Sequence, residues 1–226
     1  MQIKQLVFLG AATAFSEISE IIRDINKSGN QQYKIIAILD DNQLLHGSEI
    51  DGVPVCGDLS MVHHYPNAQF IFGIGSYKTR LLRHEIIKRL KISQERFISI
   101  IHPSSKIYPK VKIGHGCIIH PGVTICEGAE LGAFSIVTFN SVIAPKVILE
   151  PYAMITTMSC ILTGAVIGHS AFIGVRSVVG ENIKIGKGAV VIMGSIVFQK
   201  VPEGGTVQGN PAKLLYQTKI PNTLGE

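Results

Sequence analysis

From Lys106 to Val201 the chain repeats with a period of six. Sixteen consecutive hexads, from KIYPKV to IVFQKV, carry Ile, Leu or Val at the second position without exception. The sixth position is Ala, Ser or Cys in eleven of them and Val or Ile in the other five, and six hexads have Gly directly after the aliphatic residue. A unit this short cannot bury its own apolar side chain, so it must stack on copies of itself. One aliphatic side chain points inward per hexad, a small residue fits the narrow interior, and the remainder turns a corner. Three hexads then close a triangular coil of 18 residues, and coils stack at the strand spacing of about 4.8 Å. The stretch NSVIAPKVILEPYA, residues 140–153, tests this reading. Pro145 and Pro151 would break a central strand, yet both fall at the fourth position of a hexad, as do Pro109 and Pro121. They mark corners.

The first hundred residues follow other periods. KQLVFLG, YKIIAILDD and AQFIFGIG read as buried strands. TAFSEISEIIRDINKSG has apolar residues at helical spacing and ends at Gly29, and SYKTRLLRHEIIKRLKIS reads as a second helix. Strands alternating with helices predict a small parallel sheet of Rossmann-like βαβ type. The expected domains are therefore 1–99, an α/β nucleotide-sugar-binding domain; 100–215, the stacked coils; and 216–226, a tail.

Composition narrows the function. With 226 residues, 46% hydrophobic and 16% charged, the chain can bury a sizeable core. A net charge of +5 without a Lys/Arg run or aromatic–basic interleaving argues against nucleic acid; the mild excess suits either a phosphorylated small ligand or an ordinary solvated surface. Cys56, Cys117, Cys126 and Cys160 form no CxxC pair, so neither zinc nor a disulfide framework is expected, and free thiols point to a reducing cytoplasm. No metal and no membrane insertion are expected. The opening MQIKQLVFLGAATAF looks like a leader, but Glu17, Glu20 and Arg23 continue it as an amphipathic helix, so it is read as folded protein.

The hexads resemble the hexapeptide-repeat acyltransferases, and the run VPEGGTVQGNPAKLL resembles the segment with which such enzymes leave the coil beside acetyl-CoA. LVFLGAA, AILDDN, FIFGIGSYKTR and IIHPSS, in that order, are similar to the sialic-acid O-acetyltransferase and bacillosamine N-acetyltransferase group. The resemblance implies a left-handed parallel β-helix, a homotrimer, acetyl-CoA as co-substrate and a nucleotide-linked amino sugar destined for surface glycans. It implies that Gly10, Ala11 and Ala12 approach the nucleotide, that Asp40 and Asp41 bind base or ribose, and that Gly75 admits the substrate. For acetyl-CoA it implies backbone contacts at Thr163, Val175 and Met193, together with Asn210, and phosphate contacts from Lys187, Lys200 and Lys213. For Asp40 and Asp41 the alternative is a polar strand-end turn, and for each lysine a solvated corner. GAATAF keeps only the first glycine of a dinucleotide fingerprint, so NAD is rejected.

The same resemblance exposes a gap. The group uses a corner histidine, steadied by an acidic neighbour, as general base. Here the matching positions are Pro145 and Ala144; two further histidines of the group match Met154 and Ala14. Glu127, one coil below Pro145, is the titratable candidate in that corner column, against the alternative of a solvated glutamate. His115, His120, His169 and His102 fall outside the matching position. An amine acceptor needs a base less than a hydroxyl does, because part of it is already neutral and the thioester is activated; positioning carries the rest. The reading is an acetyl-CoA-dependent N-acetyltransferase, with two alternatives: an O-acetyltransferase, or a non-catalytic or regulatory relative that binds a sugar nucleotide or a sister subunit.

Overall fold

A computed structural model describes residues 3–11, 14–29 and 31–221. The N-terminal part runs β1 (Lys4–Leu9), α1 (Ala14–Lys27), β2 (Tyr33–Leu39), β3 (Glu49–Ile50), β4 (Val53–Gly57), β5 (Gln69–Phe72) and α2 (Arg83–Leu90). The sheet order is β3-β4-β2-β1-β5. β4, β2, β1 and β5 are parallel, while β3 pairs antiparallel with β4 at the edge. Two elements differ from the sequence reading. The β3–β4 hairpin was not expected, although its turn is Asp51-Gly52, a dipeptide that accepts positive φ at both residues (49° and 76°). The second helix begins only at Arg83. Before it, the Thr79 N–H donates to Ser76 Oγ at 3.2 Å and the Ser76 N–H to Thr79 Oγ1 at 3.0 Å. Such local side-chain bonds offer the backbone an alternative to helix.

The coils are a left-handed parallel β-helix. Seventeen two-residue strands run from β6 (Ile100–Ile101) to β22 (Ile196–Val197). Each strand up to Val178–Val179 pairs with the strand 18 residues on, as Ile125 with Ile143 and Ile143 with Ile161. The second-position residues fill the interior, and sixth-position serines line it with their hydroxyls satisfied: Ser159 Oγ donates to the Gly174 carbonyl at 3.0 Å. The corners have one further rule. The fifth residue of each hexad before the last takes positive φ, even where it is not glycine: Phe134, Asn140, Lys146, Tyr152, Met158, Ser170, Arg176 and Asn182 lie between 54° and 63°. The proline at position four is then the i+1 residue of a type II turn, for which its φ is preset. β23 (Gly205–Gly209) extends one face beside Val190–Val191, and β24 (Ala212–Gln217) folds back on it and covers the sheet edge past residue 215.

The first domain sits on one face of the prism. On that face the first-position residues Ile118, Ile136 and Met154 are at most 7% exposed and pack with Phe8, Ile18, Ile22 and Ile71. Two fifth-position corner residues, Phe134 and Tyr152, stack on each other at 5.1 Å and pack under Phe72 and Phe97. Arg83 is wholly buried at this junction. Its Nε donates to the Ile74 carbonyl (2.9 Å), NH1 to Tyr152 (3.2 Å) and NH2 to Phe134 (2.8 Å). Burial pushes its pKa down to about 10, which leaves it protonated at neutral pH. At the same junction His102 Nε2 lies 3.2 Å from Asp24 Oδ2 on α1, bracing the start of the coils.

His169, at a coil corner, faces His84 of α2 with ring centroids 5.7 Å apart. Burial first, then the nearby His84, Lys187 and Arg83, lower its pKa from 6.5 to about 4. The folded protein therefore keeps this ring neutral while the unfolded chain protonates it. Its contribution is complete above pH 6.5 and is lost as pH falls towards 4. We expect up to about 3 kcal/mol of stability to disappear over that window, and His169→Gln to flatten this part of the curve of unfolding free energy against pH. An unchanged slope in the variant would remove His169 as the cause.

Candidate active site

Two cavities meet where the sheet abuts the coil. The first, about 260 Å³, is lined by Gly10, Asp40, Asp41, Ile74, Gly75 and Thr79 among others. It lies outside the carboxyl ends of β1, β2 and β5, the place where open parallel sheets bind ligands. The second, about 220 Å³, has Glu17 and Tyr77 on one side and His120, Thr138, Thr156 and Phe172 of the coil on the other. The two share Ala14, Gly73, Gly75 and Ser76. A larger hollow, about 670 Å³, follows α1 and β2 but contains none of the expected residues.

Backbone geometry explains the glycines. Gly10 has φ of 102°, and a Cβ there would lie 2.7 Å from Ile74 Cγ1. A Cβ on Gly75 would lie 2.7 Å from Ile136 Cδ1 of the coil. The first glycine lets the chain turn at the sheet end; the second lets the domain close on the helix.

Gly10, Asp40, Asp41 and Gly75 line the first cavity together. Ala11 adjoins them; Ala12 lies outside the described residues. The carboxylates do more local work than anticipated. Asp40 Oδ2 accepts the Ala11 N–H at 2.6 Å and Oδ1 the Asn42 N–H at 2.8 Å. Asp41 Oδ1 accepts the Leu59 N–H at 3.1 Å, and Oδ2 pairs with Arg89 at 2.6 Å. Both hold the loop ends in place, and each oxygen keeps a lone pair for a ligand.

The residues expected at acetyl-CoA do not form one surface on a single chain. Val175 and Met193 stack at one corner, Thr163 stands at the next and Lys187 at the third, because they follow different faces of the prism. Asn210 and Lys213 lie exposed around the β23–β24 turn. Glu127 is exposed and paired with Lys110 at 2.8 Å, and it lines neither cavity. Pro145 is exposed at the same corner. Ala14 and Met154, by contrast, both line the second cavity.

Two family models match. One, the PglD N-terminal domain, spans residues 5–90. The other, the bacterial transferase hexapeptide of six repeats, spans residues 98–127. The first match lies on the α/β domain and the second on the opening coils, so the chain is similar to each over that part. No curated protein matches it. Among solved structures, a histidine-to-asparagine variant of perosamine N-acetyltransferase from Caulobacter crescentus, in complex with CoA and GDP-perosamine, is 24% identical. The alignment covers 94% of this chain and 97% of that one, with a TM-score of 0.81. The acetyltransferase domain of PglB from Neisseria gonorrhoeae, with acetyl coenzyme A, is 21% identical over 95% and 100% of the two chains (TM-score 0.82). WeeI from Acinetobacter baumannii is 22% identical over 95% and 100% (TM-score 0.77). The likeness extends over both domains and their arrangement. Among the described residues no helix is long and apolar enough to cross a membrane.

Proposed function

We propose that this protein is an acetyl-CoA-dependent N-acetyltransferase acting on a nucleotide-linked amino sugar for surface glycans. The observation that carries the reading is the continuity of the two cavities across the domain junction. A nucleotide held at the sheet ends by Gly10, Ala11, Asp40 and Asp41 can extend its sugar past Gly75 towards the coil. Relatives of the same two-domain fold bind CoA and GDP-perosamine. Because Thr163, Val175 and Lys187 occupy different corners, one acetyl-CoA meets several of them only where coils of neighbouring chains face each other. A homotrimer supplies that groove. Met193 is 70% exposed and Phe198 61%, apolar surface suited to such an interface. Lys200, Asn210 and Lys213 then stand ready for the CoA phosphates.

The acceptor is an amine, because its nitrogen attacks the thioester before losing a proton and so tolerates Pro145 at the corner where the group places its base. The same proline favours the second reading, a non-catalytic sugar-nucleotide binder. Purified protein mixed with acetyl-CoA and a panel of UDP-, dTDP- and GDP-amino sugars should release free CoA thiol with at least one of them, and light scattering should give the mass of three chains. Binding of a sugar nucleotide without thiol release would leave the non-catalytic reading. A monomer would remove the shared groove.

A further inference from the structure

Within the second cavity stands a pair that the sequence does not align. His120 follows strand β9 (Ile118–Ile119) on the coil; Glu17 is in the first turn of α1. They are 103 positions apart, 120 less 17, and only domain docking brings them together. His120 Nδ1 lies 3.0 Å from Glu17 Oε1. His120 is 4% exposed, and Nδ1 has no well-aligned hydrogen bond despite that short distance. The carboxylate lies out of line with the Nδ1 position, and a small rotation of the ring would complete a hydrogen bond. The ring sits edge-on to Phe139, centroids 4.7 Å apart.

Packing alone does not account for the pair. The first-position residues of this coil face are Ile118, Ile136, Met154 and Phe172, and His120's own column continues as Thr138 and Thr156; a buried imidazole beside a carboxylate costs desolvation that a threonine or an aliphatic side chain there would avoid. Of the side chains lining this cavity only Glu17, Tyr77 and His120 titrate. With Nδ1 turned to Glu17, Nε2 is the nitrogen left for a ligand, as in other carboxylate-oriented histidines.

We propose that His120 is the general base of the acetyl transfer and Glu17 its positioning residue. This rests on the acyl-transfer reading above. The amine nitrogen of the acceptor attacks the thioester carbonyl carbon, and its lone pair becomes the new C–N bond. His120 Nε2 takes the proton that this nitrogen must lose, and Glu17 stabilises the imidazolium. The C–S bond breaks with its electron pair on sulfur, and the imidazolium returns the proton to it. The products are the amide and CoA thiol, with His120 neutral again. Thr138 and Thr156, on the next two coils at the same hexad position, flank the path of the acceptor.

The test uses the full chain with the amino-sugar nucleotide that gives turnover. His120→Gln should lower kcat by about 10²-fold while both KM values stay within about threefold and the melting temperature holds. Glu17→Gln, at a half-exposed side chain, should lower kcat about tenfold with the same unchanged KM values. His120→Ala should regain part of its rate when imidazole is added. Should His120→Gln fail to fold, Glu17→Gln and the imidazole rescue decide. Wild-type turnover with kcat retained in His120→Gln, or in Glu17→Gln without any rescue of His120→Ala, overturns the assignment and leaves the acyl-transfer reading intact. No turnover by the wild type with any amino sugar overturns both.

Discussion

Ile173→Asp is expected to abolish cooperative folding of the coils, at a cost above about 4 kcal/mol. Ile173 is fully buried in the prism interior, in register with Ile155 below and Val191 above. The surrounding cluster is made of aliphatic residues and alanine, with no cation to pair a carboxylate. A repeat stack has only nearest-neighbour interfaces to hold it, so a charge there severs the coils above from those below. Ile173→Val at the same site should cost only about 1 kcal/mol. Chemical denaturation measures both, and an Ile173→Asp midpoint equal to the wild type would place this residue outside the core.

Arg83→Met is the second large effect, expected to cost about 3–5 kcal/mol. The reason lies in the corner geometry. Fourth-position carbonyls accept the fifth-position N–H of the coil above, as Ala133 does from Tyr152 at 2.9 Å. The Phe134 and Tyr152 carbonyls, at position five, face outward and would meet water on a bare coil. The first domain removes that water, and Arg83 replaces it with two of its three hydrogen bonds. Methionine fills the volume but leaves the Ile74, Tyr152 and Phe134 carbonyls without this donor. Lysine keeps the charge and cannot fork, so Arg83→Lys should recover only part of the loss. Calorimetry should show the N-terminal domain melting ahead of the coil in Arg83→Met. A single transition at the wild-type temperature would show that the apolar contacts alone hold the domains together.

The coil was legible in the sequence almost residue by residue, because each hexad obeys the same local rule whatever surrounds it. The inward residues, the serine lining and the proline corners all follow from that period. The fifth-position backbone was less visible: Gly128 and Gly164 signal positive φ, but Phe134 and Tyr152 accept it for the sake of contacts with Phe72 and Phe97, partners that no periodicity announces. In the first domain, strand ends and the first helix were readable from apolar runs and Gly29. The late start of α2 was not, since it depends on the Ser76–Thr79 side-chain bonds.

For the site, the chain alone determined that Gly10, Asp40, Asp41 and Gly75 belong to strand ends on one side of a parallel sheet. That Pro145 stands where a corner histidine would be looked for is an expectation that the resemblance supplied, not one the periodicity carries. Tertiary structure decided the rest. It tied Glu127 to Lys110 in solvent, spread Thr163, Val175 and Lys187 over three corners, and brought Glu17 of a helix against His120 of a coil. Periodicity is a property of neighbours along the chain, whereas an ion pair across a domain junction depends on how two finished surfaces dock.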